Sequence, residues 1–412
     1  MADILPRSSA ASVTPDVEAP RSSGPTAPAV TVPGPLAPPQ TPDEGLLTTA
    51  AEERVSVASQ GQLMWWRFRK HKLAMIGAAT VLLFYLVVVF ADFLAYADAE
   101  ASDAQRGLIA PQEIHWFDEG RFSPHVYALT GQRDPATFKR VYAPDPTQKI
   151  PVTLFGQGFE YKLLGIFPTN RHLIGVQGAN AEESLFLLGT DLEGRDMWSR
   201  LMYGTRISLT IGLVSVALSL FLGVLLGGLS GFYGGIIDTV TQRVIEILRS
   251  IPTIPLWMGL AAAMPREWTV LQVYFTITII ISLIGWTELA RVVRGRFLSL
   301  REEDFVTAAD LIGASQARII FIHMVPLFMS HIIAATTLAL PAMIISETAL
   351  SFLGLGLRAP AISWGVLLQQ AQNVQTVALS PWLLLPSVPV IVVILAFNFL
   401  GDGLRDAADP YN

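Results

Sequence analysis

Long, nearly unbroken apolar runs fill the second half of the chain, and one more lies near residue 80. Each run is close to the ~20 residues that a helix needs to cross the hydrocarbon of a bilayer. The runs predict six membrane-spanning helices, at 73–96, 207–229, 244–264, 270–290, 326–350 and 380–400. An even number of spans places both ends of the chain on the same side of the membrane.

The third predicted span, 244–264, is the weakest of the six. It contains four residues that disfavour a straight helix facing lipid, namely Glu246, Arg249, Pro252 and Pro255. We expect this span to be broken or partly buried in a bundle, where freed backbone groups find partners.

Basic residues beside the spans predict the orientation. Four Lys or Arg residues lie in 67–72, before the first apolar run, and five arginines lie in 291–318, after the fourth span. The positive-inside rule makes both regions, and therefore both termini, cytoplasmic. The first run is about 24 residues long, against roughly 7–15 for the core of a signal peptide, so we expect an uncleaved anchor.

Composition narrows the class of protein. Apolar residues make up 51% of the 412 residues and charged residues 15%, whereas soluble domains contain roughly 25% charged residues. Cysteine is absent, which excludes disulfides, thiolate metal sites and cysteine nucleophiles. The net charge of −6 argues against a nucleic-acid-binding protein. These features define an integral membrane protein.

Polar segments complete the predicted organisation. Residues 1–60 contain ten prolines and no aromatic residue, which predicts a disordered cytoplasmic tail, either regulatory or dispensable. A basic segment and the first span occupy 61–96, and an aromatic-rich extracytoplasmic insert with its lead-in occupies 97–205. Within the insert, 151–167 predicts a β-hairpin that turns at the glycine-rich residues 156–158. The membrane domain is placed at 206–405 and a short cytoplasmic tail at 406–412.

The segment 304–326, between the fourth and fifth spans, has a helical pattern interrupted by one glycine. Gly313 predicts a left-handed helix C-cap, and Pro326 predicts the opening of the next helix. Two short helices with a sharp bend at the cytoplasmic surface suit docking into a groove on a partner. An ordinary interfacial connector would have the same pattern.

A group of charged residues before the second span is a second candidate for function. Asp191 and Asp196 are close in sequence to Arg195, Arg200 and Arg206, with which they could pair at the outer end of the second span. These residues either anchor the helix or contact substrate.

A third candidate is Glu347, which lies inside the fifth span near its outer end. Acidic groups in a span often face a pathway or a partner. We expect water to reach it and favour a role in helix packing or at a subunit interface over substrate contact.

Ala308-Ala309, Gly313 and Pro326 have the spacing that resembles the EAA loop of binding-protein-dependent ABC importer permeases. The glutamate that leads this loop in the family is replaced here by Thr307. The resemblance implies a coupling helix that fits a cleft on an ATP-binding subunit. The implied coupling residues are Thr307, Ala308, Ala309, Asp310, Gly313, Ala314, Arg318 and Pro326.

Residues 188–209 resemble the signature before the second span of dipeptide, oligopeptide and nickel permeases. The matching residues are Asp191, Gly194, Arg195, Asp196, Ser199, Arg200, Gly204 and Arg206. Segments 68–75, 346–356 and 401–410 match the same family, so the resemblance covers 65–96 and 186–410. It implies the second-permease (C-type) subunit, with an all-α integral membrane fold. About six helices of the type-1 ABC importer permease fold are expected, with a small insert between helices 1 and 2.

The resemblance also implies partners and a location. These are a homologous second permease, two ATP-binding subunits, an extracytoplasmic substrate-binding protein and membrane lipid, in a bacterial inner membrane. We expect transport of di- or oligopeptides, with nickel and oligosaccharides as alternatives. No cofactor, metal or nucleic acid is expected on this chain, because ATP and Mg²⁺ would bind the partner subunits.

Enzymatic motifs are missing from the sequence. It contains no phosphate-binding loop ending in Gly-Lys-Ser/Thr and no H-E-x-x-H motif, and no G-x-S-x-G motif. A membrane-embedded enzyme needs convergent ionisable residues within the spans, and these are scarce. A self-contained channel or secondary carrier would be expected to show an internal repeat, and none is apparent. We therefore predict a non-enzymatic subunit.

Overall fold

The computed structural model describes residues 60–133, 135, 140–176, 185–265 and 267–408. By its internal contacts the chain divides into Met1–Ala58 and Ser59–Asn412, and the described residues all belong to the second unit. The predicted tail at 1–60, except for Gln60, lies outside the described residues, as do residues 409–412 of the predicted C-terminal tail.

From Gln60 onward, where the described residues begin, three helices precede the insert: α1 (Gln60–Lys70), α2 (Lys72–Val89) and the short α3 (Ala91–Leu94). His71 separates the first two and caps α2, since its ring Nδ1 accepts a hydrogen bond from the Ala74 amide at 3.0 Å. Helix α2 is the first membrane-spanning helix and ends at Val89, earlier than the predicted limit of residue 96.

The insert is built from β-strands. They are β1 (His115–Asp118), β2 (Arg121–Arg133), β3 (Arg140–Leu154), β4 (Gln157–Leu163), β5 (Phe167–Arg171) and β6 (Ile174–Val176). Four of them form an antiparallel sheet in the order β1-β2-β3-β6, and β4 pairs with β5 in a separate hairpin.

The predicted hairpin across 156–158 is wrong. Strand β3 pairs with β2 and β6, not with β4, and the chain turns after β4, where Leu164 and Gly165 have φ of +54° and +73°. Gly156 lies instead where two chain segments cross. A Cβ on it would lie 2.4 Å from the Gly175 Cα, so only glycine fits there.

The helices after the insert form the membrane domain. They are α4 (Met197–Tyr233), α5 (Gly235–Ser250), α6 (Thr253–Ala262), α7 (Val270–Leu300), α8 (Asp304–Leu311), α9 (Gln316–Leu327), α10 (Met329–Phe352), α11 (Trp364–Gln369), α12 (Val374–Leu379) and α13 (Ser387–Ala408). Among the described residues, five helices are long and apolar enough to cross a membrane, or six if the bent pair α5–α6 is one span. That pair is bent by 87°, so the expected break in 244–264 is confirmed.

Close helix packing forms the core of this domain. Helix α4 lies along α7, where a Cβ on Gly227 would be 2.4 Å from the Ala290 carbonyl oxygen, and one on Gly231 would be 2.6 Å from the Phe297 Cβ. Small residues allow this approach between membrane helices. The main apolar core joins α4, α7, α10, α11 and α13 through Leu209, Ile211, Ile277, Ile281, Ile344, Trp364, Val393 and Phe397.

Candidate functional site

Helices α8 and α9 form a compact bend at one end of the membrane domain. The bend is closed by a Schellman motif, in which the Ala314 amide donates to the Ala309 carbonyl at 3.0 Å and the Gly313 amide to the Asp310 carbonyl at 2.9 Å. Gly313 has φ of +80°, which confirms the predicted left-handed cap. Among the described residues, no atom beyond the neighbouring backbone lies within 4 Å of the position a Cβ would take at Gly313, so backbone conformation alone favours glycine there.

Helix α9 is irregular between the glycine and the next span. Its residues Ile319–Met324 are π-helical, and the Val325 amide donates to the Ile320 carbonyl. Pro326 occupies one of the first two positions of the α-helical segment that follows, as predicted. The backbone is already helical from Gln316, however, and the long helix α10 begins only at Met329.

The inner face of this bend is fixed to the membrane domain. Val306 and Ala309 of α8 and four apolar residues of α9 pack with Val293 and Phe297 of α7 in one apolar cluster. The Tyr233 hydroxyl at the end of α4 also donates to Gln316 Oε1 at 2.7 Å. The bend is therefore packed on α7 and hydrogen-bonded to the end of α4.

The outer face of the bend is exposed. The coupling residues implied by the sequence divide as follows: Thr307, Ala308, Asp310, Gly313, Arg318 and Pro326 are exposed, Ala314 is half-buried and Ala309 is buried. Leu311 and Ile312 are not among the residues predicted from the sequence, yet they are 82% and 84% exposed. Their position directly before Gly313 was the sequence feature that could have identified them, because two large apolar residues are unusual in an otherwise polar loop. We name Leu311, Ile312 and the exposed residues of α8 the coupling knob.

An ion pair supports the same end of the molecule. The Arg294 Nη2 on α7 donates to Asp238 Oδ2 on α5 at 2.6 Å, and the same carboxylate accepts from the Ser230 hydroxyl on α4. Three helices are thereby tied together beside the coupling knob.

A second cluster of polar residues surrounds the start of α4, at the opposite end. Asp191 is fully buried and accepts hydrogen bonds from the Arg195 Nε at 2.7 Å and the Gln370 Nε2 at 3.2 Å. The Arg200 Nε lies 3.5 Å from the same carboxylate. The predicted pairing of Asp191 with nearby arginines is thus present.

The predicted pairing of Asp196 and Arg206 with charges close in sequence is wrong, because they bind Tyr96 and Asp92 at the end of the first span instead. Asp196 caps α4 by accepting from the Ser199 amide at 2.7 Å, and it accepts from the Tyr96 hydroxyl at 2.6 Å. Burial raises the pKa of the Asp196 carboxyl to about 6, although these hydrogen bonds lower it. Arg206 pairs with Asp92 of α3 at 2.7 Å.

The remaining signature residues tie the same segments together. The Ser199 hydroxyl accepts from the Ala97 amide at 3.1 Å. Gly194 has φ of +76°, and a Cβ there would lie 2.0 Å from the Asp103 carbonyl oxygen. Gly204 lies under Trp364 of α11. All eight signature residues therefore lie where the chain enters and leaves the insert, in an arrangement that fixes helices to one another.

Glu347 is fully buried, so the expectation that water reaches it is wrong. Its Oε2 accepts from the Ser208 hydroxyl of α4 at 3.0 Å, and its Oε1 accepts from the Ser351 hydroxyl at 2.9 Å. The segment after α10 folds back over the carboxyl group, and its Trp364 amide donates to the Ser208 hydroxyl at 3.1 Å. Glu347 thus connects two spans and α11 within the chain.

Comparison with known proteins defines the class. Residues 223–411 match the family described as binding-protein-dependent transport system inner membrane component. Residues 59–111 match the N-terminal transmembrane domain of oligopeptide transport permease C. The chain is thus a multi-pass inner-membrane subunit of a binding-protein-dependent ABC importer, with the type-1 permease fold that the sequence predicted.

Individual relatives specify the family. The chain is 30% identical over 345 residues to the oligopeptide transport system permease protein OppC of Bacillus subtilis, covering 84% of this chain and 87% of the relative. It is 39% identical over 224 residues to the dipeptide permease DppC of the same organism, covering 54% and 68%. It is 40% identical over 229 residues to OppC of Escherichia coli K12, covering 55% and 73%. The chain belongs to the C-type permeases of the dipeptide and oligopeptide transport family.

Proposed function

We propose that this permease transports di- or oligopeptides as one of two homologous permease subunits, together with two ATP-binding subunits and an extracytoplasmic substrate-binding protein. The names of its relatives support the peptide substrate. The observation that carries the assignment of the coupling role is the exposed coupling knob on a tightly anchored bend. Both termini are cytoplasmic in this proposal, because the knob then faces the ATP-binding subunits.

The coupling knob acts as a rigid lever. Each ATP-binding subunit would accept one knob in a cleft, with the leucine and isoleucine side chains buried there. When ATP closes the two subunits, the knobs move, and the shared apolar cluster and the Tyr233–Gln316 hydrogen bond transmit this movement to α7 and α4. The pathway changes from inward-facing to outward-facing. Coupling of this kind needs one element whose position both sites influence.

The chemistry of ATP hydrolysis belongs to the partners in this proposal. ATP and Mg²⁺ bind there, and this chain supplies no catalytic residue and holds no cofactor. Its own contribution is half of the translocation pathway and the lever that moves it.

The polar cluster at the start of α4 has the complementary role. It holds α3, α4 and the 364–382 segment together, since Arg206 binds Asp92 and the Trp382 Nε1 donates to the Thr190 carbonyl at 3.0 Å. Because most of its charged groups bind residues of this chain, it acts in this proposal as an anchor and not as a substrate contact. The outer ends of these elements therefore move as one body.

Uptake by a strain lacking this chain tests the substrate assignment. Labelled dipeptides and oligopeptides are compared with nickel and with small oligosaccharides, with the gene absent, restored, or restored as an expressed but inactive Gly313→Leu variant. We expect peptide uptake to return only with the active chain. Restored nickel or sugar uptake, with peptides unaffected, would contradict the peptide substrate while leaving the permease architecture in place.

A further inference from the structure

A cavity of about 890 Å³ opens where four helices reach the same end of the membrane domain. Its lining includes His71 before α2, Arg296 near the end of α7, His331 in the first turn of α10, and several residues of 399–408 in α13. The volume is within the range of small-ligand sites, which is roughly 300–1,000 Å³. Because each of these helices begins or ends beside it, the cavity lies at the edge of the hydrocarbon, at the depth of the lipid headgroups.

Four charged side chains line the cavity in two pairs of opposite sign. Arg296 and Arg405 supply the positive charges, and Asp402 and Asp406 supply the negative charges. Among the described residues, the two arginines and Asp402 have no ion pair and no side-chain hydrogen bond. Asp406 has one partner, since its Oδ2 lies 3.9 Å from the His71 Nε2. The cavity therefore offers both signs of charge to a ligand.

An apolar surface leads from the cavity along α2. Leu73 lines the cavity, and Ile76 and Leu83 follow it along the helix. All three side chains are exposed. Their spacing places them on one face of the helix, so they form a stripe that runs from the cavity toward the middle of the span.

A second stripe leads from the same cavity along α13. Phe399 lines the cavity, and the exposed Leu395 and Val392 precede it at helical spacing. The two helices adjoin, because a Cβ on Gly77 of α2 would lie 2.6 Å from the Ala396 carbonyl oxygen of α13. One polar cavity with two apolar stripes matches a ligand that has a polar head and two apolar chains.

The charges specify which head fits. Arginine binds phosphate through charge-assisted hydrogen bonds, and a primary ammonium donates hydrogen bonds to carboxylates. A choline head has no N–H to donate, and a glycerol head has no positive charge to place beside the aspartates. A soluble zwitterion such as a dipeptide would satisfy the charges but leave both apolar stripes without a partner.

We propose that this cavity binds a phospholipid with a primary ammonium in its headgroup, of the phosphatidylethanolamine type. The phosphate binds Arg296 and Arg405, and the ammonium binds Asp402 and Asp406. The two acyl chains lie along the stripes of α2 and α13. Phe328 also lines the cavity and belongs to the apolar cluster that fixes the bend, so the lipid supports the coupling knob from the membrane side. This inference rests on the cavity and not on the substrate or partners proposed above.

Native mass spectrometry of the assembled transporter tests the lipid preference. The complex in mild detergent is mixed with phosphatidylethanolamine, phosphatidylcholine or phosphatidylglycerol of the same acyl chains. We expect phosphatidylethanolamine to bind at least about tenfold more tightly, since the other two lack the hydrogen bonds to aspartate. Equal binding of the three lipids would overturn the proposal. Displacement of the lipid by a dipeptide or by inorganic phosphate would show a soluble ligand and would also overturn it.

Two substitutions assign the binding to this cavity. Arg405→Gln should weaken phosphatidylethanolamine binding by about tenfold or more, because the phosphate loses a charge-assisted hydrogen bond. Asp402→Asn should keep phospholipid binding but remove the preference for phosphatidylethanolamine over phosphatidylglycerol. Both side chains are exposed, so the fold itself should tolerate the changes.

Matched controls are available on neighbouring helices. Arg291→Gln on α7 and Asp304→Asn on α8 change exposed side chains of the same types that do not line the cavity. Both variants should bind phosphatidylethanolamine as the wild type does. Unchanged binding by Arg405→Gln, or an equal loss of binding by Arg291→Gln, would overturn the assignment of the lipid to this cavity.

Discussion

At the scale of single residues, Gly313 closes the bend between α8 and α9, and the Asp196 carboxyl caps the start of α4. Gly313 was predictable because a helix C-cap depends on a few neighbouring residues. Tyr96 as the partner of Asp196 was not, because 100 residues separate the two. The burial of Glu347 was hidden for the same reason, since the covering segment approaches only in the folded chain.

Gly313→Leu is expected to abolish transport and uncouple ATPase stimulation while leaving membrane insertion intact. Leucine is strained at φ of +80°, so the Schellman motif opens and the angle between α8 and α9 is lost. Peptide uptake and ATPase activity of the reconstituted transporter measure the effect. Gly313→Asn is the matched control, because asparagine tolerates this conformation better and should retain most activity. Undiminished uptake by the leucine variant would remove the coupling role from this bend.

At the scale of elements, the apolar runs predicted the long helices well because one physical requirement, crossing hydrocarbon, fixes their length and composition. Strand pairing in the insert was predicted wrongly, because a glycine-rich stretch has the same composition whether it turns or crosses another strand. The close contact between Gly156 and Gly175 distinguishes the two cases, and it exists only in the folded protein.

Leu311→Asp is expected to weaken binding of the ATP-binding subunits by at least about tenfold, since a buried apolar contact is replaced by a desolvated charge. The side chain is 82% exposed in this chain, so the fold itself should tolerate the change. Co-purification of the ATP-binding subunits is the measurement. Val374→Asp is the matched control, because Val374 is equally exposed at 82% but lies on α12. Equal loss of the ATP-binding subunits in both variants would contradict the assignment of the knob.

At the scale of the whole molecule, the two ends of the membrane domain are built differently. One end presents the coupling knob, and the other joins the first span, α4 and the insert through buried polar residues. The sequence predicted both groups of residues but assigned only some of their partners. The charged residues in the sequence do not show whether an ion pair forms between neighbouring residues or between segments that are distant in the chain.

The Asp196 carboxyl predicts a specific dependence of stability on pH. Its pKa in the folded protein is raised to about 6, above the ordinary value of 3.8. The unfolded chain therefore releases this proton first, so folded stability falls as pH rises from about 4 to about 6, by on the order of 3 kcal/mol, and then levels off. Melting temperatures of the detergent-purified wild type and of Asp196→Asn are measured from pH 4 to pH 8. As pH rises from about 4 to about 6, we expect the melting temperature of the variant to rise relative to that of the wild type.

Tyr96→Phe provides the control for this measurement. It removes the 2.6 Å hydrogen bond but keeps the titrating carboxyl, so its pH dependence should persist and move to higher pH. A constant difference between wild type and Asp196→Asn at every pH would show that Asp196 does not titrate in this range.

The hydrogen bonds from Tyr96 to Asp196 and from Ala97 to Ser199 join the end of the first span directly to the start of α4. They close the insert at its base, so the segment that leaves the first span and the segment that begins α4 already meet without it. Shortening or exchanging the β-strands between His115 and Val176 is therefore expected to leave the spans in place, since the anchoring residues around Asp191 lie outside that range. The strands of the insert are in this sense separable from the membrane domain, whereas the residues at the base of the insert are part of it.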